Sequence, residues 1–216
     1  MAGLFVTFEG IEGCGKTTQA ELLRLGLEKE GRHVVFTREP GGTEVGERIR
    51  EVLLDNRIRG MEPLTELFLY LASRAQHVQE LIRPAIKEGA IVICDRFADA
   101  SLAYQGAGRG IGTSRVLTLN EVATFGLVPD YTVLLDLPVE LGLKRMSARL
   151  GGRGQQDRIE REEMDFHVRV REAYLTLAQK SSDRISDRIE VFDGTRRKEE
   201  LAQEILSRVK EILSRK

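Results

Sequence analysis

The stretch from Gly10 to Thr17 reads GIEGCGKT, with the apolar, β-branched run LFVTF (4–8) before it and the helix-like TTQAELLRLGLEKEG (17–31) after it. Few sequences constrain a fold as tightly. Gly10, Gly15, Lys16 and Thr17 satisfy G-x-x-x-x-G-K-[ST] in the strand–loop–helix setting that this pattern requires. Glycine adds nothing to a core and is costly in a helix, so these glycines point to something approaching the backbone. Backbone N–H groups that curl around phosphate oxygens leave no room for Cβ atoms. A helix starting near Lys16 adds the positive end of its dipole. The Lys16 ammonium reaches β- and γ-phosphates, and the Thr17 hydroxyl is a ligand for Mg²⁺.

The rest of the chain fits an α/β fold around that loop. Four more apolar runs follow: HVVFT (33–37), AIVICD (90–95), YTVLLDL (131–137) and RIEVFD (188–193). Most are continuously apolar, as in parallel strands covered on both faces. Helical patterns lie between them at 44–55, 63–89 and 139–150, and a last one at 198–215 puts Leu201, Ile205, Ile212 and Leu213 on one face. Alternating strand and helix predicts a doubly wound parallel sheet. With 216 residues and no repeat, linker or low-complexity tract, one domain spanning 1–216 is expected. The polar, glycine-bearing stretch 151–163 reads as a mobile loop entering a helix.

Composition narrows the function. The 33 basic and 34 acidic residues nearly cancel, against the basic excess of a nucleic-acid binder. Two cysteines, Cys14 and Cys94, make no disulfide framework. The amino terminus lacks a signal-peptide pattern and no apolar run is long enough to span a bilayer, so a soluble, cytoplasmic protein without a membrane or nucleic-acid partner is expected. A GTPase would carry N-K-x-D and D-x-x-G motifs; Asn56 and Asn120 are not followed by lysine, and D-x-x-G does not occur. What remains is a small enzyme that moves phosphate between small molecules.

AIVICDR ends a strand in Asp95 and Arg96. A carboxylate there sits beside the phosphate loop and can hold Mg²⁺, while Arg96 can clamp a phosphate with two hydrogen bonds. The basic stretch with Arg149, Arg153 and Arg158 suits a lid that folds over the transferred group and excludes water. Cys14, at a helix N-terminus beside Lys16, is either a reactive thiol or a small space-filling side chain.

Together, FEGIEGCGKTTQ (8–19), TREPGGT (37–43), YLASRAQH (70–77), DRFADASLAYQGAGRG (95–110) and DRIE (157–160) resemble the thymidylate kinase family over nearly the whole chain. The resemblance implies a P-loop nucleoside monophosphate kinase fold with a five-stranded parallel sheet, a lid at about 149–162, and usually a homodimer. It implies phosphoryl transfer from ATP to dTMP with Mg²⁺, giving dTDP and ADP on the way to dTTP. ATP would meet Gly10, Ile11, Glu12, Gly13, Cys14, Gly15, Lys16, Thr17 and Thr18. Mg²⁺ would sit at Thr17 and Asp95. The acceptor would meet Glu12, Arg38, Tyr70, Arg74, Arg96, Ser101 and Tyr104, with Tyr70 stacking on the base and Arg74 bonding its edge with two donors. Tyr104 would crowd a 2′-hydroxyl. Lys16, Glu12, Arg96 and a lid arginine would be catalytic. The loop carries no arginine, which matches the bacterial type with Arg153 in that role; Arg149 stays open. Phe97 stands where a tyrosine or histidine is common. The resemblance points more faintly to Glu162 and Asp165 after the lid, and to an adenine contact near Thr195 and Arg196. Two other readings remain: a kinase for another monophosphate (dUMP, GMP or CMP), and a non-catalytic ATP-binding regulator.

Overall fold

The computed structural model describes residues 3–150, 156–179 and 186–215. Five parallel strands form one sheet: β1 (Leu4–Glu9), β2 (Val34–Arg38), β3 (Ile91–Asp95), β4 (Tyr131–Asp136) and β5 (Ile189–Asp193), in the order β2-β3-β1-β4-β5. All five match the apolar runs. The chain leaves central β1 first to one side and later to the other, so a crevice opens at the carboxyl ends of β1, β3 and β4, where such sheets bind ligands. Register then sets the site: Phe8, Asp95 and Arg38 lie side by side across β1, β3 and β2.

Helices α1 (Lys16–Lys29), α2 (Glu44–Leu54), α7 (Val139–Leu150) and α9 (Lys198–Ser214) fall where the patterns place them. On α9, Leu201, Ile205 and Val209 are buried, with Ile212 and Leu213 packed beside them. The expected helix at 63–89 is α3 (Pro63–His77) running through a π-helical turn (Val78–Ile82) into the short α4 (Arg83–Lys87). The wider turn sits just before Pro84, which has no N–H to give. Two helices lay outside the sequence reading: α5 (Ala98–Ser101), which continues as a π-helical segment over Leu102–Gly108, and α6 (Thr113–Thr124); α8 (Met164–Ala178) is the helix expected to follow 151–163. Among the described residues no helix is long and apolar enough to cross a membrane.

Alternation along β1 divides the core. Leu4, Val6 and Phe8 join a cluster with Leu23, Tyr104, Val133, Phe166 and Ile205 on one face, while Phe5 packs with Ile82, Val92 and Phe97 on the other. Glu9 shares its parity with Phe5 and is fully buried. Tyr174 of α8 and Tyr104 of the π-helical segment meet edge to face behind the crevice.

Candidate active site

The phosphate loop has the backbone its glycines foretold. Gly10, Gly13 and Gly15 have φ of 137°, 72° and 101°, values that side chains rarely adopt. A Cβ on Gly10 would lie 2.5 Å from the Leu135 carbonyl oxygen, and one on Gly13 would strike the backbone of Gly142, so these two also let the loop pack against β4 and α7. Gly15 differs: nothing lies within 4 Å of where its Cβ would be. That open side faces the cleft. Gly15 is the N-cap of α1 and no side chain caps the helix, which leaves its first N–H groups for a ligand. Lys16 folds over the loop, its Nζ donating to the Ile11 carbonyl at 2.7 Å. The Thr17 hydroxyl donates to Asp95 Oδ2 at 2.5 Å.

A cleft of about 490 Å³ runs from this loop across the crevice. Of the expected residues it is lined by Glu12, Gly13, Gly15, Lys16, Thr17, Thr18, Arg38, Tyr70, Asp95, Arg96, Ser101 and Tyr104. Ile11 and Cys14 differ from expectation. Their side chains are buried in the core beneath the loop, so only their backbone is left for a nucleotide. Cys14 fills space there, with Lys16 Nζ 3.5 Å from its sulfur.

The far side of the cleft is built from side chains. Arg96 has φ of 73°, a strained value for a residue with a Cβ. Its Nη1 donates to the Gly10 carbonyl at 2.8 Å and its Nη2 to Glu12 Oε1 at 2.9 Å. Tyr104 donates its hydroxyl to the same Glu12 oxygen at 2.6 Å, and the Arg96 guanidinium lies over its ring at 4.9 Å. Burial alone would raise the Glu12 pKa, but His167, Arg96, Lys16 and Tyr104 around it hold the carboxyl well below the usual range. His167 is almost fully buried, with Nδ1 3.3 Å from Glu12 Oε2 but off hydrogen-bond geometry.

Arg74 is also deeply buried. Its Nε donates to Glu39 Oε2 at 2.8 Å, Nη1 to Ser101 and Asn120, and Nη2 to the Phe97 carbonyl at 3.0 Å. Four of five N–H groups are thereby engaged. The expected two-donor contact with a base edge is corrected to a single remaining donor. Phe97 is wholly buried against Phe5 and beneath Arg74, so it has no polar task. Arg38 is half exposed and paired with Glu47 at 2.8 Å.

The basic stretch needs a second correction. Arg153 lies outside the described residues, as does the Arg149 side chain. Arg158 turns away from the phosphate loop: it pairs with the buried Glu66 and donates to the Leu53 carbonyl at 3.0 Å. Glu66 binds Arg109 as well, and Arg109 holds Glu162 at 2.7 Å. Glu162 thus anchors the segment that leads into α8, and Asp165 is exposed on α8. Thr195 bonds Asp193 and Arg196 pairs with Glu204; neither lines the cleft. Arg145, which does, donates to the Gly194 carbonyl at 3.0 Å.

Several further cleft residues had no role in the sequence reading, among them the charged Glu39, Arg50, Arg145, Asp157 and Glu160. Arg50 donates to the Pro40 carbonyl at 2.8 Å; burial, and then the Arg38 charge, make it less basic than usual. A cation so placed favours an anion in the cleft. Its signal was weak, one arginine among several on an amphipathic helix.

The geometry combines a backbone phosphate cradle with a cluster of arginine side chains, Arg38, Arg50 and Arg96, in the same cleft. The family model for thymidylate kinase matches residues 8–205. A thymidylate kinase of Geotalea uraniireducens (strain Rf4) is 49% identical over 195 residues, covering 89% of this chain and 90% of that one. One from Desulfovibrio desulfuricans is 46% identical over 216 residues, covering 99% and 98%. The solved thymidylate kinase of Ehrlichia chaffeensis superposes with a TM-score of 0.75 at 32% identity, covering 97% of this chain and 99% of that one. A family match over this length, on this sheet and around this cleft, leaves one conclusion: the chain belongs to the thymidylate kinase family.

Proposed function

We propose that the cleft carries out ATP-dependent phosphorylation of dTMP to dTDP, the thymidylate kinase reaction, with the roles below. The observation that carries the assignment is the Glu12–Arg96–Tyr104 cluster joined to the phosphate loop within one cleft. An ATP-binding regulator has no need of further arginines grouped in the same cleft.

The loop N–H groups and Lys16 hold the donor's β- and γ-phosphates. Thr17 and Asp95 suit Mg²⁺: both present hard oxygen ligands, the hydroxyl already donates to the carboxylate so the two sit side by side, and one carboxylate with one hydroxyl leaves room for phosphate oxygens and water. An Mg²⁺ held by Thr17 and Asp95 would supply charge neutralisation for the transferred group. Arg96 aligns the acceptor phosphate, and Arg38 and Arg50 add positive potential beside it. Glu12 stays ionised and fixes Arg96 and Tyr104. Tyr70 offers its ring to the base, Ser101 and the one remaining Arg74 donor read the edge, and Tyr104 crowds a 2′-hydroxyl. Arg153 supplies the lid cation. No general base is needed, because a monophosphate is already largely ionised at neutral pH; positioning and electrostatics do the catalysis.

Around this reaction we place a cytoplasmic enzyme of one domain with its lid at about 149–162. A homodimer is supported by exposed apolar residues on adjacent helices, Val52 of α2 and Leu64 and Phe68 of α3. A monomeric wild type in sedimentation would remove that part.

The deciding experiment is ADP release with ATP, Mg²⁺ and, in turn, dTMP, dUMP, UMP, CMP, GMP and AMP. Turnover favouring dTMP is expected. Preference for another monophosphate would overturn the acceptor assignments, and ATP binding without turnover on any of the six would overturn the assignment of this cleft as a kinase site.

A further inference from the structure

These roles leave one fully buried carboxylate without a task. Glu9 ends β1, next to Gly10 of the phosphate loop, with its side chain sealed from solvent. Both oxygens are used. Oε1 accepts the Phe97 backbone N–H at 2.7 Å, and Oε2 accepts the Tyr174 hydroxyl at 2.7 Å. The Tyr174 oxygen in turn accepts from Arg96 Nη1 at 3.3 Å. One carboxylate therefore ties together the end of β1, the exit of β3 and helix α8.

Arg96 stands at the centre of these ties. Its φ of 73° belongs to the left-handed region, which an arginine keeps only when its surroundings over-determine it. Its own N–H is held by the Phe8 carbonyl at 3.0 Å, and the next N–H, that of Phe97, by Glu9. The peptide on which the left-handed turn depends is thus pinned on both sides. The guanidinium is steadied by the Gly10 carbonyl, Glu12 and Tyr174.

Glu9 is an expensive way to make these bonds. Burial, and then the nearby Asp99 charge, push its pKa up to about 7, while Arg96, Tyr174 and the Phe97 N–H draw it down. Asp99 cannot relieve the crowding, because it is bound in a two-point pair with Arg188 at 2.7 Å. An apolar side chain beside Phe5 and Phe97 would avoid the cost. It would also leave the Phe97 N–H without an acceptor and Tyr174 without its link to the turn.

We infer that Glu9 is a positioning residue for the acceptor phosphate: it locks the Arg96–Phe97 peptide in its left-handed turn and, through Tyr174, steadies the Arg96 guanidinium, so that the cation is preformed when the acceptor arrives. This rests on the reading of Arg96 as the clasp of the acceptor phosphate. Preformed donors avoid reorganisation on binding, and small displacements of a clamp weaken it severely.

The test is steady-state kinetics with both substrates varied, together with thermal melting, on Glu9→Gln, Tyr174→Phe, their double variant and Arg96→Ala. Glutamine is nearly isosteric and keeps one acceptor for the Phe97 N–H, but it presents an amide to Tyr174. KM for dTMP should rise about tenfold in Glu9→Gln and about threefold in Tyr174→Phe, as expected for lost hydrogen bonds to a charged group. KM for ATP should stay within about twofold of wild type, since the phosphate cradle is made by backbone. The double variant should be no worse than Glu9→Gln alone, because both act through one link. A rise in both KM values together, or no change in KM for dTMP, overturns the inference. If Glu9→Gln does not fold, Tyr174→Phe decides on the same terms. Arg96→Ala separates the two levels: if it raises KM for dTMP while Glu9→Gln does not, only the inference about Glu9 falls. If Arg96→Ala leaves KM for dTMP unchanged, the clasp reading falls and this inference falls with it.

Discussion

The two ends of the cleft are built from different materials. The donor end is backbone: eight consecutive residues, Gly10–Thr17, whose glycines reach positive φ and whose open side at Gly15 leaves N–H groups exposed to the cleft. The proposed acceptor end is a mesh of charged and polar side chains from β1, α3, α5, α6, α8 and the turns that follow β2 and β3, most of them buried: Glu9, Glu39, Arg74, Arg96, Ser101, Asn120 and Tyr174. A backbone cradle binds any polyphosphate and depends on few side chains. A side-chain mesh holds a particular shape, and its members also hold the fold. Losses at the donor end should therefore fall on turnover alone, and losses at the acceptor end on turnover and stability together.

The largest effect tests the donor half of that statement. Lys16→Ala should lower kcat about a thousandfold, the scale for removing a preorganised cation or donor from a developing charge. Melting should stay close to wild type, because Lys16 gives the fold little beyond its bond to the Ile11 carbonyl. A variant that turns over near the wild-type rate would refute the assignment. One that unfolds would break the contrast between the two ends.

Arg74→Ala tests the other half. It strands Glu39, whose other oxygen lies 3.0 Å from the buried His77, and it strips a partner from Ser101 and Asn120. Breaking a buried pair this way destabilises by about 3 kcal/mol, which at this length lowers Tm by roughly 6–12 °C. KM for dTMP should rise at the same time. Unchanged melting would show that the mesh serves the ligand only.

Tyr104→Phe is a finer cut. It removes one hydrogen bond to Glu12 and leaves the ring packed beside Phe166 and Tyr174. KM for dTMP should rise about fivefold, the scale of one ordinary net hydrogen bond, with little change in Tm. A fall in discrimination between dTMP and UMP would sharpen the case that Tyr104 guards the 2′ position. An unaltered preference would assign that task elsewhere.

The same division decides what could be read in the sequence. The strands were legible because fully buried parallel strands are continuous apolar runs, and the phosphate loop because its chemistry occupies one unbroken stretch. Asp95 was legible because it ends a strand beside that loop. In the acceptor mesh Arg74 and Ser101 were legible only through the family resemblance, and Glu39 and Asn120 not at all, because the members are dispersed: the four meet across 81 positions of chain. Arg158 shows the limit most clearly. Placed in a basic stretch, it reads as a lid cation, but its partner Glu66 is invisible without the fold. Helix α6 escaped because its apolar positions face α3 and a π-helical segment, which blurs the simple amphipathic stripe.

The smallest effect compares two carboxylates that flank Gly10. Glu9 points into the interior, where burial and Asp99 push its pKa up to about 7; Glu12 is ringed by His167, Arg96, Lys16 and Tyr104 and is held well below the usual range. Their linkage to stability has opposite sign. The folded pKa of Glu9 exceeds its ordinary 4.5, so its contribution is fully present below pH 4.5 and is lost as pH rises through about 7. The folded pKa of Glu12 is depressed, so its contribution is present above pH 4.5 and is lost only as pH falls below that. Between pH 5 and pH 8, therefore, Glu9 is the one of the two that changes. Glutamine at position 9 cannot titrate, so the stability of Glu9→Gln relative to wild type should improve steadily from pH 5 to pH 8. Urea unfolding of both proteins at several pH values in that window measures the difference directly, with every other titrating group common to the pair. A constant difference would mean that Glu9 keeps an ordinary pKa and that Arg96 and Tyr174 fully offset its burial. The carboxylate would then be as comfortable as Glu12, and the contrast between an interior acid just before the phosphate loop and an ion-paired acid within it would disappear.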